Sequence, residues 1–140
     1  MKIKAVILDL DGTLLDTITD ITNSLNEALA IHQFPREYQD DDVKYFIGKG
    51  IRYTCACALE PFQATDAEIE AVRLEYLRIY ETRQYEKTAP FPGMVDLLLS
   101  LKEKGIFLGV LSNKFHRDTI TLVQKYFPKD LFSVMIGQRP

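Results

Sequence analysis

The run from Ile3 to Leu10 limits the folds open to this chain more than any other stretch, because it is rich in Ile, Val and Leu and shows little alternation. A strand with one wet face alternates apolar and polar residues, whereas a strand covered on both faces, as in a parallel sheet, reads as a near-continuous apolar run. The run therefore predicts a central strand. Two further runs follow the same logic: Ile106 to Leu111 comes after the helix-like Met94 to Lys104 and its Gly105 stop, and Phe132 to Ile136 comes after the helix-like Arg117 to Tyr126. Strands alternating with helices predict an α/β fold with a Rossmann-like, doubly wound parallel sheet.

Between the first strand and Pro90 the alternation stops, and several helical patterns stand without a convincing strand among them. One helix is expected from about Thr17 to Ile31, with Ile18, Ile21, Leu25 and Leu29 on one stripe, and another from Asp66 to Tyr85, with Ile69, Val72, Tyr76 and Ile79 on another. Thr65 or Asp66 can cap the second, with Glu68 and Glu70 well placed in its first turn. The stiff Ala89-Pro90-Phe91-Pro92-Gly93 stretch marks the return to the sheet. The division expected is a core of residues 1–15 and 88–140, lacking some C-terminal strands, with a helical insertion at 16–87.

A chain of 140 residues is long enough to bury a core without a disulfide framework. Its net charge of -3 offers no broad basic surface, which argues against nucleic acid as the main partner. The apolar run Ala5-Val6-Ile7-Leu8 meets Asp9 too soon for a signal-peptide core or a membrane span, so a cytoplasmic location is the default expectation. Cys55 and Cys57 fall at i and i+2 in a helical stretch, do not face one another, and read as free packing thiols suited to a reducing compartment.

The first strand ends in Asp9-Leu10-Asp11-Gly12-Thr13, which puts two carboxylates at the C-terminal edge of a strand, where open α/β sheets bind ligands. Alternation sends Asp9 and Asp11 to the same face. Gly12 can adopt backbone angles closed to other residues and let the loop fold tightly around a small anion. One carboxylate can attack phosphorus to form an aspartyl-phosphate, while a second acid protonates the departing oxygen. Two acids so close also repel and invite a divalent cation, and Mg²⁺, which takes few carboxylates and bridges to phosphate, suits the site. A calcium loop of the helix-loop-helix type is excluded, since Leu14 stands where its glycine and Asp20 where its glutamate should be. At the end of the second core strand, Leu111-Ser112-Asn113-Lys114 brings a hydroxyl, amides and a cation to the same sheet edge, able to hold phosphate oxygens.

Together, Asp9-x-Asp11-Gly12-Thr13, the helical insertion, Phe91-Pro92-Gly93 and Leu111-Ser112-Asn113-Lys114 resemble the haloacid-dehalogenase-superfamily phosphatases, most closely the phosphoglycolate-phosphatase-like members. The resemblance implies an Mg²⁺-dependent phosphomonoesterase acting on a small phosphorylated metabolite such as 2-phosphoglycolate. It implies Asp9 as nucleophile and metal ligand, Asp11 as general acid and base that also binds the metal through its backbone carbonyl, and Gly12, Thr13, Ser112 and Asn113 as phosphate-binding positions. Phe46-Ile47-Gly48-Lys49-Gly50-Ile51-Arg52 is similar to the family's cap loop, so Gly48, Lys49 and Arg52, with Lys114 from the core, are expected substrate contacts. The aspartate at position 11 favours phosphoryl transfer over dehalogenation. The family pattern goes on to a further lysine and an acidic metal motif, and this sequence reaches Pro140 with neither. That leaves two alternatives: an inactive binding or assembly fragment that pairs with another copy through an unfilled sheet edge, and pyrophosphatase or sugar-phosphate mutase chemistry on the same core. Against these stand blander readings, a solvated interhelical loop for Gly48 to Arg52 and an ordinary helix-capping turn for Ser112 to Lys114.

Overall fold

The computed structural model describes residues 2–139 and divides into two compact units, one built from the chain through Asp16 and again from Ala89 onward, the other Thr17–Thr88.

In the first unit, β1 (Ala5–Leu8), β4 (Phe107–Phe115) and β5 (Val134–Gln138) form a parallel sheet in the order β1-β4-β5. Two short strands, β2 (Leu15–Asp16) and β3 (Ala89–Pro90), pair antiparallel where the chain leaves and re-enters this unit. Helices α5 (Met94–Glu103) and α6 (His116–Tyr126) are the crossovers between the parallel strands. The fold class is α/β with a parallel sheet, as the alternation of runs predicts. The first run corrects one expectation. It forms a shorter strand at the sheet edge, covered on one face: Leu108 and Val110 of β4 are buried, whereas Ile7 is 69% and Leu111 55% exposed, with Ile3, Phe107, Val134 and Ile136 also exposed. The cause is the strand order. Right-handed crossovers that advance steadily from β1 to β4 to β5 put α5 and α6 on one side of the sheet, and among the described residues no crossover helix remains for the other.

The second unit holds α1 (Ile18–Ile31), the single turn α2 (Asp40–Val43), α3 (Ile51–Leu59), a 3₁₀ turn at Glu60–Phe62, and α4 (Asp66–Arg83). Its core takes Ile21, Leu25, Ala28 and Leu29 from α1 and Val72, Tyr76, Ile79 and Tyr80 from α4, so both predicted stripes face inward, with Ile18 and Ile69 at the margin. Each large apolar side chain so buried contributes about 1.5–3 kcal/mol. Tyr38 adds a polar anchor: Asn26 brackets its backbone with two 2.8 Å hydrogen bonds and its hydroxyl donates to the Ala58 carbonyl (2.6 Å). Cys55 and Cys57 are unbridged, and burial pushes the Cys55 thiol up to about 12.

Helix α4 begins at a capping box. The Glu68 amide donates to Thr65 Oγ1 (3.3 Å) while the Glu68 carboxylate accepts from the Thr65 amide (2.7 Å). Thr65→Ala is expected to cost about 1 kcal/mol of unfolding free energy, seen as a lower urea midpoint. An unchanged midpoint would show that the box adds nothing to this helix.

Candidate active site

The site follows from strand register. Leu8 pairs with Val110 in the parallel β1–β4 ladder, so Asp9 leaves the sheet at the carboxyl edge beside the Ser112 segment of β4. Beyond Leu8 the chain tightens into a loop in which the Leu10 carbonyl accepts from the amides of Thr13 (3.3 Å), Leu14 (3.0 Å) and Leu15 (3.1 Å), and the Gly12 amide donates to the Leu15 carbonyl (2.9 Å). Leu10, Leu14 and Leu15 are fully buried and act as the loop's roots. Gly12 sits at φ 78°, a left-handed conformation that a side chain strains. Rooted leucines and a glycine turn leave the polar residues outermost: Asp9, Gly12 and Thr13 are exposed and Asp11 is half-buried.

On the neighbouring strand, the register of β4 against β5 shifts between Leu111 and Phe115. The strand thus runs on through Ser112, Asn113 and Lys114, where the sequence pattern ends it at Leu111, and an irregularity of this kind re-aims side chains. Ser112 is buried and its Oγ accepts from the Lys114 amide (3.1 Å), while Asn113 is exposed. The Lys114 ammonium lies 3.3 Å from Asp11 Oδ1, with the two side chains only 9% and 17% exposed. Asp9 Oδ1 accepts from the Leu10 amide (2.7 Å). Its carboxyl is held above the usual carboxylate range, chiefly by loss of solvent and further by the charge of Asp11, while the Leu10 amide and Lys114 pull the other way. Asp9, Asp11, Ser112 and Lys114 are therefore one electrostatic group, as the shared sheet edge predicts, and Lys114 reaches a carboxylate as its partner.

The segment is clamped from behind by Gly137 of β5, a residue the sequence reading passed over. A Cβ there would stand 2.6 Å from the Lys114 carbonyl and from Thr119 Oγ1, and 2.7 Å from His116 Cα. Gly137→Ala is expected to cost about 3 kcal/mol and to displace the resonances of Ser112 to Lys114 in an amide correlation spectrum. A spectrum unchanged beyond the immediate neighbours of Gly137 would contradict the clamp.

The other expected contacts belong to the helical unit. Gly48 is exposed at φ 102°, the Lys49 ammonium lies 4.7 Å from the centroid of the Tyr53 ring, and the Arg52 guanidinium pairs with Asp66 Oδ1 at 2.7 Å. The structure thus gives both cations partners within their own unit.

For Mg²⁺, the donor chemistry at Asp9 and Asp11 fits: two carboxylates on one rooted loop, one of them exposed and with raised proton affinity, match an ion that takes few protein oxygens and keeps several waters. No cluster of three or more His, Cys, Asp or Glu able to hold a metal occurs among the described residues. Nor, among them, is any helix long and apolar enough to cross a membrane.

A parallel sheet that gathers an acidic loop, a buried hydroxyl and a lysine at its carboxyl edge places them where open α/β sheets bind their ligands. The chain belongs to the haloacid dehalogenase-like hydrolases, whose family model matches residues 6–140. This is the superfamily that the motifs resemble. The chain is 33% identical over 137 residues to a phosphoglycolate phosphatase of Caulobacter vibrioides, covering 94% of this chain and 56% of that protein. It is 30% identical over 125 residues to an N-acetylmuramic acid 6-phosphate phosphatase of Pseudomonas aeruginosa, covering 89% and 54%. Among solved structures, that of a proposed phosphoglycolate phosphatase from Lactobacillus delbrueckii subsp. bulgaricus superposes with a TM-score of 0.94 at 31% identity, covering 99% of this chain and 66% of that one. The chain thus spans a little over half the length of these curated relatives.

Proposed function

We propose that this chain carries the nucleophile and the phosphate-binding edge of an Mg²⁺-dependent phosphomonoesterase acting on a small phosphate ester, 2-phosphoglycolate or a close analogue. The observation that carries this reading is the convergence of Asp9, Asp11, Ser112 and Lys114 at one sheet edge. Asp9 attacks phosphorus; the bond to the ester oxygen breaks, and Asp11 supplies the proton which that oxygen needs to leave as an alcohol. Water then attacks the aspartyl-phosphate, Asp11 takes the water's proton, and inorganic phosphate departs with Asp9 restored. The Ser112 hydroxyl and neighbouring amides hold the phosphoryl oxygens as charge shifts among them. Asp9 and Asp11 would hold Mg²⁺, which would supply positive charge against the phosphoryl oxygens. The helical unit is read as a cap, with Lys49 and Arg52 meeting the substrate's carboxylate.

Phosphate release from 2-phosphoglycolate and a panel of monoesters, pyrophosphate and sugar phosphates, with and without Mg²⁺, tests this. Mg²⁺-dependent release favouring a small carboxylated monoester supports it, and preference for pyrophosphate or isomerisation of a sugar phosphate redirects it to the superfamily's other chemistries. A folded chain that binds phosphate without turnover gives precedence to a second reading, a binding part that assembles with another copy. The open apolar face around Ile7, Leu111, Val134 and Ile136 favours that reading, and light scattering that finds only monomer counts against assembly.

A further inference from the structure

We infer that Lys114 is a positioning residue for Asp11 rather than a substrate contact, an inference that rests on the phosphomonoesterase reading above. The ammonium lies 3.3 Å from Asp11 Oδ1 in a setting where both side chains are largely shielded from water, so the pair is screened far less than a surface ion pair. Shielding alone would not make the contact directional; the backbone of Lys114 does. Its amide donates to Ser112 Oγ (3.1 Å), and its carbonyl accepts from Thr119 Oγ1 (3.4 Å), which also donates to the Phe115 carbonyl (3.0 Å). Gly137 closes the same carbonyl from β5 with no room for a Cβ. A main chain held from both sides gives the side chain a fixed origin from which the ammonium reaches Asp11.

The consequence is a link between two segments that the chain order separates. The main chain of Lys114 orders the Ser112 hydroxyl on β4, and its side chain orders Asp11 on the loop after β1. A general acid and base works only within hydrogen-bond reach of the oxygen it serves, and misplacing one by an ångström costs about 10²-fold in rate. A carboxylate on the loop after β1 keeps one orientation better with a tie to the neighbouring strand. Lys114 provides it. A residue that instead gripped the substrate would act on ground-state binding.

The two roles separate in a double-mutant cycle on the intact chain, with 2-phosphoglycolate as substrate. For Lys114→Met we expect kcat to fall about 10²-fold with KM changed less than about threefold. In an Asp11→Asn background the same substitution should cost almost nothing further, because its effect runs through Asp11. Circular dichroism and thermal melts of all four proteins establish that each is folded. A raised KM with kcat intact overturns the inference in favour of substrate contact. Losses that simply multiply overturn it in favour of independent roles. Asp9→Asn, run alongside, keeps the two failures apart: a parent chain without Asp9-dependent turnover sinks the phosphomonoesterase reading and this inference with it, whereas such turnover with multiplying losses sinks the positioning role alone.

Discussion

Replacing Asp20 by alanine is expected to lower the unfolding free energy of the helical unit by about 3–5 kcal/mol. Asp20 lies in the first turn of α1, is 1% exposed, and accepts from the Lys87 amide (2.9 and 3.0 Å), the Thr88 amide (2.8 Å) and the Thr88 hydroxyl (2.7 Å). Those donors come from the segment by which the chain leaves the unit, so one carboxylate joins the unit's entrance to its exit. Alanine removes the acceptor and strands the donors, and a buried donor without a partner costs about 1–3 kcal/mol. The negative charge also favours the amino end of α1, a further contribution that alanine forfeits. Asp20→Asn keeps the shape and one acceptor oxygen, so its loss should fall between parent and alanine. Urea unfolding followed by far-ultraviolet circular dichroism reads all three. A parent-like midpoint for Asp20→Ala would show that the network is not holding the unit together.

Asp9→Asn should do the opposite, removing activity while leaving the fold untouched or slightly firmer. The loss of phosphate release should be at least about 10⁴-fold, the scale on which enzymes lose turnover when a nucleophile is removed. Stability should not fall, because the Asp9 carboxylate is disfavoured where it stands, by partial loss of solvent and by the charge of Asp11. A neutral amide of the same shape relieves that repulsion. Thermal melting therefore separates a lost nucleophile from a lost fold: an Asn variant that melts well below the parent would place Asp9 among the structural residues.

How legible these features are in the sequence depends on the range of the interaction behind them. The helical stripes are local, with a period set by the helix, and Ile21, Leu25 and Leu29 or Val72, Tyr76 and Ile79 can be marked as core from spacing alone. The Thr65–Glu68 box is legible for the same reason, spanning one turn. The shared edge of Asp9 and Ser112 needs one non-local step, parallel pairing of two apolar runs, which the alternation of strand and helix implies. The exposed side of β1 is illegible, because an apolar run reads as covered on both faces whichever helices exist to cover it. Asp20 is hidden for a related reason. Its donors lie 67 and 68 residues away, and nothing local distinguishes it from a solvated acid on a helix. Lys114 is half legible: its place beside Ser112 marks it as part of the site, but its contact with Asp11 joins two segments about a hundred residues apart and rests on a backbone set by Thr119 and Gly137.

The claim on which the rest depends is that Asp9 forms a covalent bond to phosphorus. Rapid quenching of the chain with 2-phosphoglycolate and Mg²⁺ into acid, followed by peptide mass spectrometry, tests it at the residue. An aspartyl-phosphate at Asp9 predicts the mass of one phosphoryl group on the peptide bearing Asp9-Leu10-Asp11-Gly12-Thr13, localised to Asp9 and absent from Asp9→Asn. Steady turnover with the phosphoryl group on another residue, or persisting at the parent rate in Asp9→Asn, would contradict it.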